Sequence, residues 1–243
     1  MKITGLTNKF IRLTKMLLNI KSLLTIMLFS FVSPQLVYAQ IPDYVIPEIK
    51  GNTIEKTLVV FITGDGGYNN FSKSLLRYFE RDGFDRLILD SKKYFWKKKT
   101  PKEASQDFER YIQLYLEKSK CDNIYIIGHS FSAAVLPFII HHFSAALQKK
   151  IRHATFLSPD RYASLEVTLS TMLNFKQKPN EYEVLPEALK LRSIASTYIF
   201  CKEGEEELAS MFQKSGLSVA RLDGPHNYNR NFHAIYQAIK LTK

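Results

Sequence analysis

The stretch from residue 124 to residue 134 constrains the fold of this 243-residue chain more than any other. An apolar, β-branched run ends at Gly128, Ser130 follows two residues later, and small residues then open an apolar helix-like segment. This order predicts a strand, a sharp turn and a helix, with a serine at the turn. A serine there holds its hydroxyl above the end of a sheet, beside backbone N–H groups of the helix N-terminus. The stretch therefore indicates an exposed nucleophile.

The turn departs from the common Gly-x-Ser-x-Gly pattern at its fifth position, where Ser132 replaces glycine. Glycine is usual there because helix and strand pass close together, so a small serine is an acceptable replacement. The bare pattern arises by chance about 0.1–0.2 times in a chain of this composition. The predicted strand–turn–helix context makes it more specific.

A second constellation near the end of the chain supplies a candidate general base. Residues 217–222 predict the last strand and residues 232–240 the last helix, and His226 lies between them in a turn-rich loop. A histidine between these two elements is where such hydrolases hold the base. Considered without Ser130, His226 is also consistent with a loop histidine that caps the following helix. Together with Ser130, the catalytic interpretation is favoured.

The acid that orients the histidine is expected after the next-to-last predicted strand, 196–201. In many hydrolases of this fold the acid lies three residues after a glycine that ends this strand. Counted from Gly204, that spacing selects Glu207, and Glu205 and Glu206 are the alternatives. Each of the three is also consistent with a solvated acidic start of a helix, where the helix dipole favours carboxylates. Asp160, which follows an earlier predicted strand, is a further alternative because the acid can occupy that position.

A glycine-rich loop supplies the candidate oxyanion site. It follows the predicted strand 58–62 with the sequence Gly-Asp-Gly-Gly, and its backbone at Asp65 and Gly66 is expected to join the N–H of Phe131 in holding a tetrahedral oxyanion. The loop lacks the Gly-Lys-Ser/Thr ending of a nucleotide cradle, which argues against a phosphate-binding loop. The Asp65 side chain has no role in such a loop, so it either orients the loop or holds a cationic part of a substrate.

Three blocks of this sequence resemble the VirJ/AcvB family of bacterial virulence proteins. They are Gly-Asp-Gly-Gly at residues 64–67, Ser-Lys-Lys-Tyr-Phe-Trp at 91–96 with Thr-Pro at 100–101, and Gly-His-Ser-Phe at 128–131 with Leu-Pro at 136–137. The resemblance runs from about residue 57 to the end of the chain. Two departures are Ser132, where the family has glycine, and Gly-Pro-His-Asn-Tyr at 224–228, where the family has Gly-Gly-His-His-Phe.

The resemblance implies an α/β-hydrolase fold and a periplasmic protein. AcvB-like members hydrolyse the lysyl ester of aminoacylated phosphatidylglycerol, and VirJ-like members are linked to type IV secretion. The predicted function is hydrolysis of an acyl ester by Ser130, His226 and Glu207, without cofactor or metal, and an aminoacyl ester of phosphatidylglycerol is the favoured substrate. Tyr94 and Trp96, with Asp65, are the predicted substrate contacts. The alternative is a non-enzymatic periplasmic adaptor that binds type IV secretion proteins.

Residues 1–39 predict a secretory signal peptide. Five basic residues precede the ten-residue apolar run 23–32, and Val-Tyr-Ala at 37–39 offers small residues for cleavage. The run is too short to span a bilayer comfortably, and retention as an N-terminal anchor is the alternative. Residues 40–243 suit a single domain with a substantial core.

The basic charge of the chain suggests a surface partner. Without the five leader charges, the formal net charge of +11 falls to +6. Five lysines surround Tyr94, Phe95 and Trp96 within residues 92–99, which favours peripheral contact with an anionic membrane, although solubilising charge is the simpler alternative. Nucleic acid is not an expected partner of an exported protein.

Alternating strand-like and helix-like segments predict a mainly parallel sheet with helices on both faces, and a short insertion between the strands near 154 and 197. In the insertion, residues 165–169 alternate like an edge strand and residues 179–186 predict a loop. Cys121 precedes its predicted strand and Cys201 ends another, so they lie at opposite edges of a parallel sheet. Both are therefore predicted to be free thiols.

Overall fold

The computed structural model describes residues 41–51, 55–168 and 182–241. The predicted signal peptide at 1–39 lies outside these residues. From Pro42 onward the chain forms one compact unit.

A seven-stranded sheet forms the centre of this unit. Its strand order is β1-β3-β2-β4-β5-β8-β9, with β1 antiparallel to β3 and every other neighbouring pair parallel. The mainly parallel sheet predicted from the sequence is confirmed. The strands are β1 Val45–Glu48, β2 Thr57–Ile62, β3 Asp85–Leu89, β4 Asn123–His129, β5 Ile151–Leu157, β8 Ser196–Cys201 and β9 Val219–Leu222, with β6 Tyr162–Ala163 and β7 Tyr182–Glu183 forming a separate antiparallel pair.

Helices connect the strands and cover both faces of the sheet. They are α1 Asn70–Arg81, α2 Ser91–Tyr94, α3 Pro101–Ser119, α4 Phe131–His141, α5 Ala145–Gln148, α6 Val184–Lys190, α7 Glu206–Lys214 and α8 Phe232–Leu241, with a 3-10 turn at Tyr228–Arg230. In the part of the chain that the structure describes, no helix is both long enough and apolar enough to cross a membrane.

Two hydrophobic cores lie on opposite faces of the sheet. Strand β2 is buried along its whole length, and its side chains alternate between the cores: Leu58, Val60 and Ile62 join one, and Val59 and Phe61 the other. The first core packs against α3, α4, α6 and α7, and the second against α1 and α8. Burial on both faces explains why the strand sequences are continuous apolar runs rather than alternating ones.

The insertion between β5 and β8 differs from its predicted secondary structure. Leu165 and Val167 are buried and their neighbours are not, as the alternation suggested, but the segment is not a strand. Two backbone hydrogen bonds join its described part to the loop after α2, one from Val167 N–H to the Phe95 carbonyl and one from Lys99 N–H to the Leu165 carbonyl. Residue 169 lies outside the described residues.

The predicted loop at 179–186 is also wrong in its described part, because β7 and the start of α6 occupy it. Pro186 is the third residue of that helix. The first turn of a helix tolerates proline because N–H groups there have no partner within the helix. Residues 179–181 lie outside the described residues.

Cys121 and Cys201 are buried free thiols, as the topology predicted. Burial raises the pKa of the Cys201 thiol to about 12.

The carboxyl ends of β2, β4, β5, β8 and β9 meet at one edge of the sheet, since these strands are parallel neighbours. Loops at this edge of an open parallel sheet are where α/β proteins hold ligands. Ser130 follows β4 in the middle of the edge, and His226 follows β9 at its end. The topology therefore brings residues far apart in sequence to one site.

Candidate active site

Ser130 occupies a strained turn between β4 and α4. Its backbone has φ 55° and ψ −118°, a conformation that L-residues rarely adopt and that costs on the order of 1–3 kcal/mol. The turn brings β4 and α4 close together at residue 128. Glycine permits this approach, because an added Cβ on Gly128 would lie 3.0 Å from the backbone N of Ala133. Such a turn pushes the serine hydroxyl out of the sheet, as the sequence pattern predicted.

The substitution at the fifth motif position has a structural explanation. Ser132 is fully buried, and its hydroxyl donates to the Ile62 carbonyl at 2.7 Å while accepting the His129 N–H at 2.8 Å. The hydroxyl thus joins the end of β2, from which the glycine-rich loop departs, to the turn that carries Ser130. Glycine at this position would fit but would leave these two polar groups without that partner.

His226 faces the serine hydroxyl. Its Nε2 lies 2.9 Å from Ser130 Oγ, which is a hydrogen-bond distance. The side chain is about half exposed, with a relative accessibility of 51%, so a substrate can reach it.

A run of left-handed residues shapes the loop that carries His226. Tyr228, Asn229 and Arg230 have φ of 54°, 52° and 56°, which costs each of them conformational energy. Tyr228 offsets this cost: its ring is buried, and its hydroxyl lies 2.6 Å from Ser158 Oγ and donates to the Ile199 carbonyl at 2.9 Å. This anchor was not predicted from the sequence, where its only signal is an aromatic residue two positions after the histidine.

The carboxylate beside His226 belongs to Glu205. Its Oε1 lies 2.7 Å from His226 Nδ1, and its Oε2 accepts the Cys201 N–H at 2.9 Å. Two hydrogen bonds therefore fix the orientation of Glu205, which in turn fixes the His226 ring.

The choice of Glu207 from the sequence is wrong, and the reason is local. Strand β8 ends at Cys201, not at the glycine from which the spacing was counted, and Gly204 instead completes a turn with φ 92°. The residue directly after this turn, Glu205, folds back toward the strand end. Glu207 is exposed in the first turn of α7, and Glu206 forms an ion pair with the Arg221 guanidinium at 2.9 Å.

The charges of Glu205 and His226 stabilise each other. The hydrogen bond with Glu205 raises the pKa of His226 above its usual value, although burial opposes the shift. Burial alone would raise the pKa of Glu205, but the hydrogen bonds from His226 and the Cys201 amide outweigh it and hold the pKa below its usual value. The geometry therefore favours an ionised Glu205 that stabilises a protonated His226.

A second histidine, His129, lies under the site. Burial lowers its pKa to about 3, so it is neutral at physiological pH. Its ring stacks on Phe71 with centroids 4.2 Å apart and lies 5.9 Å from the His226 ring. His129 therefore packs between the base and α1 without adding a charge.

The glycine-rich loop lies against the nucleophile. An added Cβ on Gly64 would be 3.6 Å from Ser130 Cβ, and the Gly67 N–H closes the turn onto the Gly64 carbonyl at 3.0 Å. The Phe131 N–H opens α4, so it has no acceptor within that helix. Phe131 and this loop therefore lie beside Ser130, where the sequence predicts the oxyanion site.

The Asp65 side chain is partly buried beside the site. Burial raises the pKa of its carboxyl, although the N–H groups of Gly66 and of Asp65 itself oppose the shift. The two roles that the sequence left open for Asp65, orienting the loop and holding a cationic group, stay predictions, as do the oxyanion roles of Gly66 and Phe131.

Two further carboxylates act on His226 through space. Asp160, after β5, and Asp65 both raise the pKa of His226, and burial raises the pKa of each of these two carboxyls. The Asp160 side chain reaches solvent yet is surrounded by enough protein to be partly desolvated. Asp160 thus belongs to the site without being the acid of the triad.

Comparison with known proteins identifies the family. The profile described as "Bacterial virulence protein (VirJ)" matches residues 56–242, which is most of the chain. The chain belongs to the VirJ family. A search of curated proteins found no match.

Solved structures place the fold of this VirJ-family protein among the α/β-hydrolases. A lipase-esterase related protein of Clostridium acetobutylicum is 14% identical, with a TM-score of 0.57 over 82% of this chain and 98% of its own. An esterase of Pyrococcus furiosus is 15% identical, with a TM-score of 0.56 over 78% of this chain and 81% of its own. A protein of the α/β-hydrolase superfamily from Xanthomonas campestris is 11% identical, with a TM-score of 0.52 over 78% of this chain and 98% of its own.

The block at 91–101 that carries the family resemblance is largely structural. Tyr94 is only 6% exposed, and its hydroxyl donates to Asp107 at 2.6 Å, so its prediction as a substrate contact is wrong. Thr100 and Glu103 form a capping box at the start of α3. Trp96 differs from these residues because it is 54% exposed.

Replacing each of two glutamates by glutamine, in separate variants, tests the assignment of the acid. We expect Glu205→Gln to lower kcat on a p-nitrophenyl ester by about 10²–10⁴-fold, because the amide favours the wrong histidine tautomer. Glu207→Gln is the matched control and should stay within about twofold of wild type, as a surface change does. A larger loss in Glu207→Gln than in Glu205→Gln would contradict the assignment.

The pH profile of kcat/KM tests the coupling between His226 and Glu205. Activity requires neutral His226, so it should fall as the pH drops through an inflection above the ordinary histidine pKa of about 6.5. Glu205→Gln should move the inflection of the residual activity downward, since it removes the negative charge that stabilises the imidazolium. An inflection at the same pH in Glu205→Gln and wild type would show that another group titrates.

Proposed function

We propose that this VirJ-family protein is an exported serine hydrolase that cleaves an aminoacyl ester of phosphatidylglycerol. One observation carries the hydrolase part: Ser130 Oγ, His226 and Glu205 form an unbroken row with contacts of 2.9 Å and 2.7 Å. A binding protein has no need of a serine in a strained turn next to a histidine and an oriented carboxylate. The esterases among the structural neighbours agree with this chemistry.

In the first half of the reaction, Ser130 Oγ attacks the ester carbonyl carbon while His226 Nε2 takes the hydroxyl proton. The carbonyl oxygen becomes an oxyanion, stabilised by the Phe131 N–H and the loop after β2. The bond between the carbonyl carbon and the lipid oxygen then breaks, and that oxygen receives the proton from His226. The products are free phosphatidylglycerol and an aminoacyl ester on Ser130.

In the second half, water replaces the lipid alcohol. His226 takes one proton from the water, and the hydroxide oxygen attacks the carbonyl carbon of the acyl-enzyme. The bond to Ser130 Oγ breaks, and Oγ recovers its proton from His226. Glu205 stays ionised in both halves and stabilises the imidazolium through Nδ1–H. No cofactor or metal takes part in these steps.

The carboxylates around Ser130 favour a cationic acyl group. Asp160 and Asp65 both lie close enough to His226 to shift its pKa. Asp160 is exposed and Asp65 only partly so, which makes Asp160 the better partner for an ammonium group, and Asp65 adds to the negative potential. An aminoacyl ester with an unmodified α-amino group carries such an ammonium beside the scissile carbonyl.

The site of action belongs to the same proposal. The basic leader at 1–39 directs export, and hydrolysis takes place in the periplasm at the membrane surface. Exposed Trp96, together with exposed Lys97, is suited to contact with an anionic lipid headgroup region. Secretion-system proteins remain the partners of the alternative adaptor function.

Hydrolysis of a matched lipid pair tests the proposal. Purified protein should release lysine from lysyl-phosphatidylglycerol and act more slowly on the same lipid with both amino groups acetylated. Asp160→Asn should lower kcat/KM on the cationic lipid about tenfold, the ratio that corresponds to about 1.4 kcal/mol, and it should change the acetylated lipid less.

Three outcomes of that experiment separate the possibilities. Glu203→Gln removes an exposed charge from the neighbouring turn and should leave both rates unchanged. Equal losses on both lipids in Asp160→Asn and Asp65→Asn would mean that the carboxylates only hold the loops, and the aminoacyl specificity would be wrong. Failure of wild type to cleave any ester, with the Ser130→Ala variant indistinguishable from it, would favour the adaptor.

A further inference from the structure

An open groove runs away from the candidate active site between α1 and the loop and helix that follow His226. Its inner part, about 750 Å³ of open space, is lined by Asn69, Asn70, Phe71, Ser74, Asn227, Arg230 and Phe232. Its outer part shares Ser74 and Phe232 and continues to Arg77, Tyr78 and Arg81. The groove begins at two loops that meet at Ser130, because Asn69 follows the glycine-rich loop and Asn227 follows His226.

The floor of the groove is aromatic and reaches the base. Phe71 and Phe232 pack edge to face with ring centroids 5.3 Å apart, and both are partly exposed. The other side of Phe71 stacks on His129, whose ring lies next to that of His226. A ligand on this floor is therefore continuous with the site where the ester bond breaks.

The rim of the groove is basic. Arg77 and Arg230 form no ion pair within the described residues, and Arg81 lies over the Tyr78 ring at 4.1 Å. Among the described residues of the rim, the acidic one is Glu80, which is paired with Lys50 at 3.0 Å and with Arg86 at 3.5 Å. Unpaired arginines beside an aromatic floor suit an anionic amphiphile, since guanidinium groups bind phosphate oxygens strongly.

The mechanism decides which half of an ester lies in this groove. The leaving oxygen must receive its proton from His226 Nε2, so the alcohol half of the ester lies on the His226 side of Ser130. The groove opens on that side, at Asn227. The two ends of the site also differ in charge, with Asp65 and Asp160 around the nucleophile and arginines along the groove.

We infer that the groove between α1 and α8 holds the alcohol half of the substrate as an anionic glycerophospholipid, with the phosphate between Arg77 and Arg230 and the start of the acyl chains on Phe71 and Phe232. This inference rests on the proposed function and extends it, because it assigns the phosphate and the chains to specific residues. The substrate thus lies with its ammonium at the carboxylates and its phosphate at the arginines.

Calorimetry with a soluble product analogue tests the groove without turnover. The Ser130→Ala protein is titrated with monomeric dihexanoyl phosphatidylglycerol and, as a control lipid without a phosphate, dihexanoylglycerol. We expect the anionic phospholipid to bind more tightly than the uncharged lipid. Adding Arg77→Gln or Arg230→Gln should weaken binding of the anionic lipid about tenfold each, which is typical for loss of one charge-assisted contact.

Lys73→Gln is the matched control, since it removes the same charge from α1 at an exposed position that does not line the groove. It should bind as the parent does. Arg77 lies on a regular helix, so its variant gives an answer even if Arg230→Gln disturbs the left-handed turn. Equal affinity for both lipids, or equal weakening by Lys73→Gln and Arg77→Gln, would overturn the inference.

The two proposals fail in different ways. Selective lipid binding by the Ser130→Ala protein, with no ester hydrolysis by wild type, would keep the groove assignment and refute the proposed function. Hydrolysis of lysyl-phosphatidylglycerol by wild type, with Arg77→Gln and Arg230→Gln binding the product analogue normally, would keep the function and refute the groove assignment.

Discussion

The hydrogen bonds to the Glu205 carboxylate are the interaction on which the rest of the site depends. The carboxylate accepts the Cys201 N–H at the end of β8 and the His226 Nδ1–H from the loop after β9. The ends of two neighbouring strands are thereby tied to one charged group. Because His226 is half exposed on a loop with left-handed residues, its position above Ser130 requires this support.

The site and the groove together form a surface with opposite charges at its two ends. Asp65 and Asp160 act on the charge of His226, while Arg77 and Arg230 line the path that leads away from it. Such an arrangement selects a ligand by the order of its charges as well as by its shape. A lipid with a cationic acyl group and an anionic phosphate has that order, and a neutral ester does not.

The fold and the nucleophile could be predicted from the sequence because each depends on local pattern. Buried strands such as β2 are continuous apolar runs, and the turn at Ser130 follows from Gly128 and the small residues around it. The acid and the Tyr94 contact could not be predicted in this way. Whether Glu205 or Glu207 reaches His226 depends on where the turn after β8 bends, and Tyr94 is buried by a partner, Asp107, on another helix.

The most direct measurement of the central claim is the site of covalent modification by a fluorophosphonate, located by mass spectrometry of the digested protein. An activated serine should carry the adduct on the peptide that contains Ser130, and the label should disappear in Ser130→Ala and fall strongly in Glu205→Gln. Absence of any adduct on the wild-type protein, or an adduct on a different serine, would contradict the account.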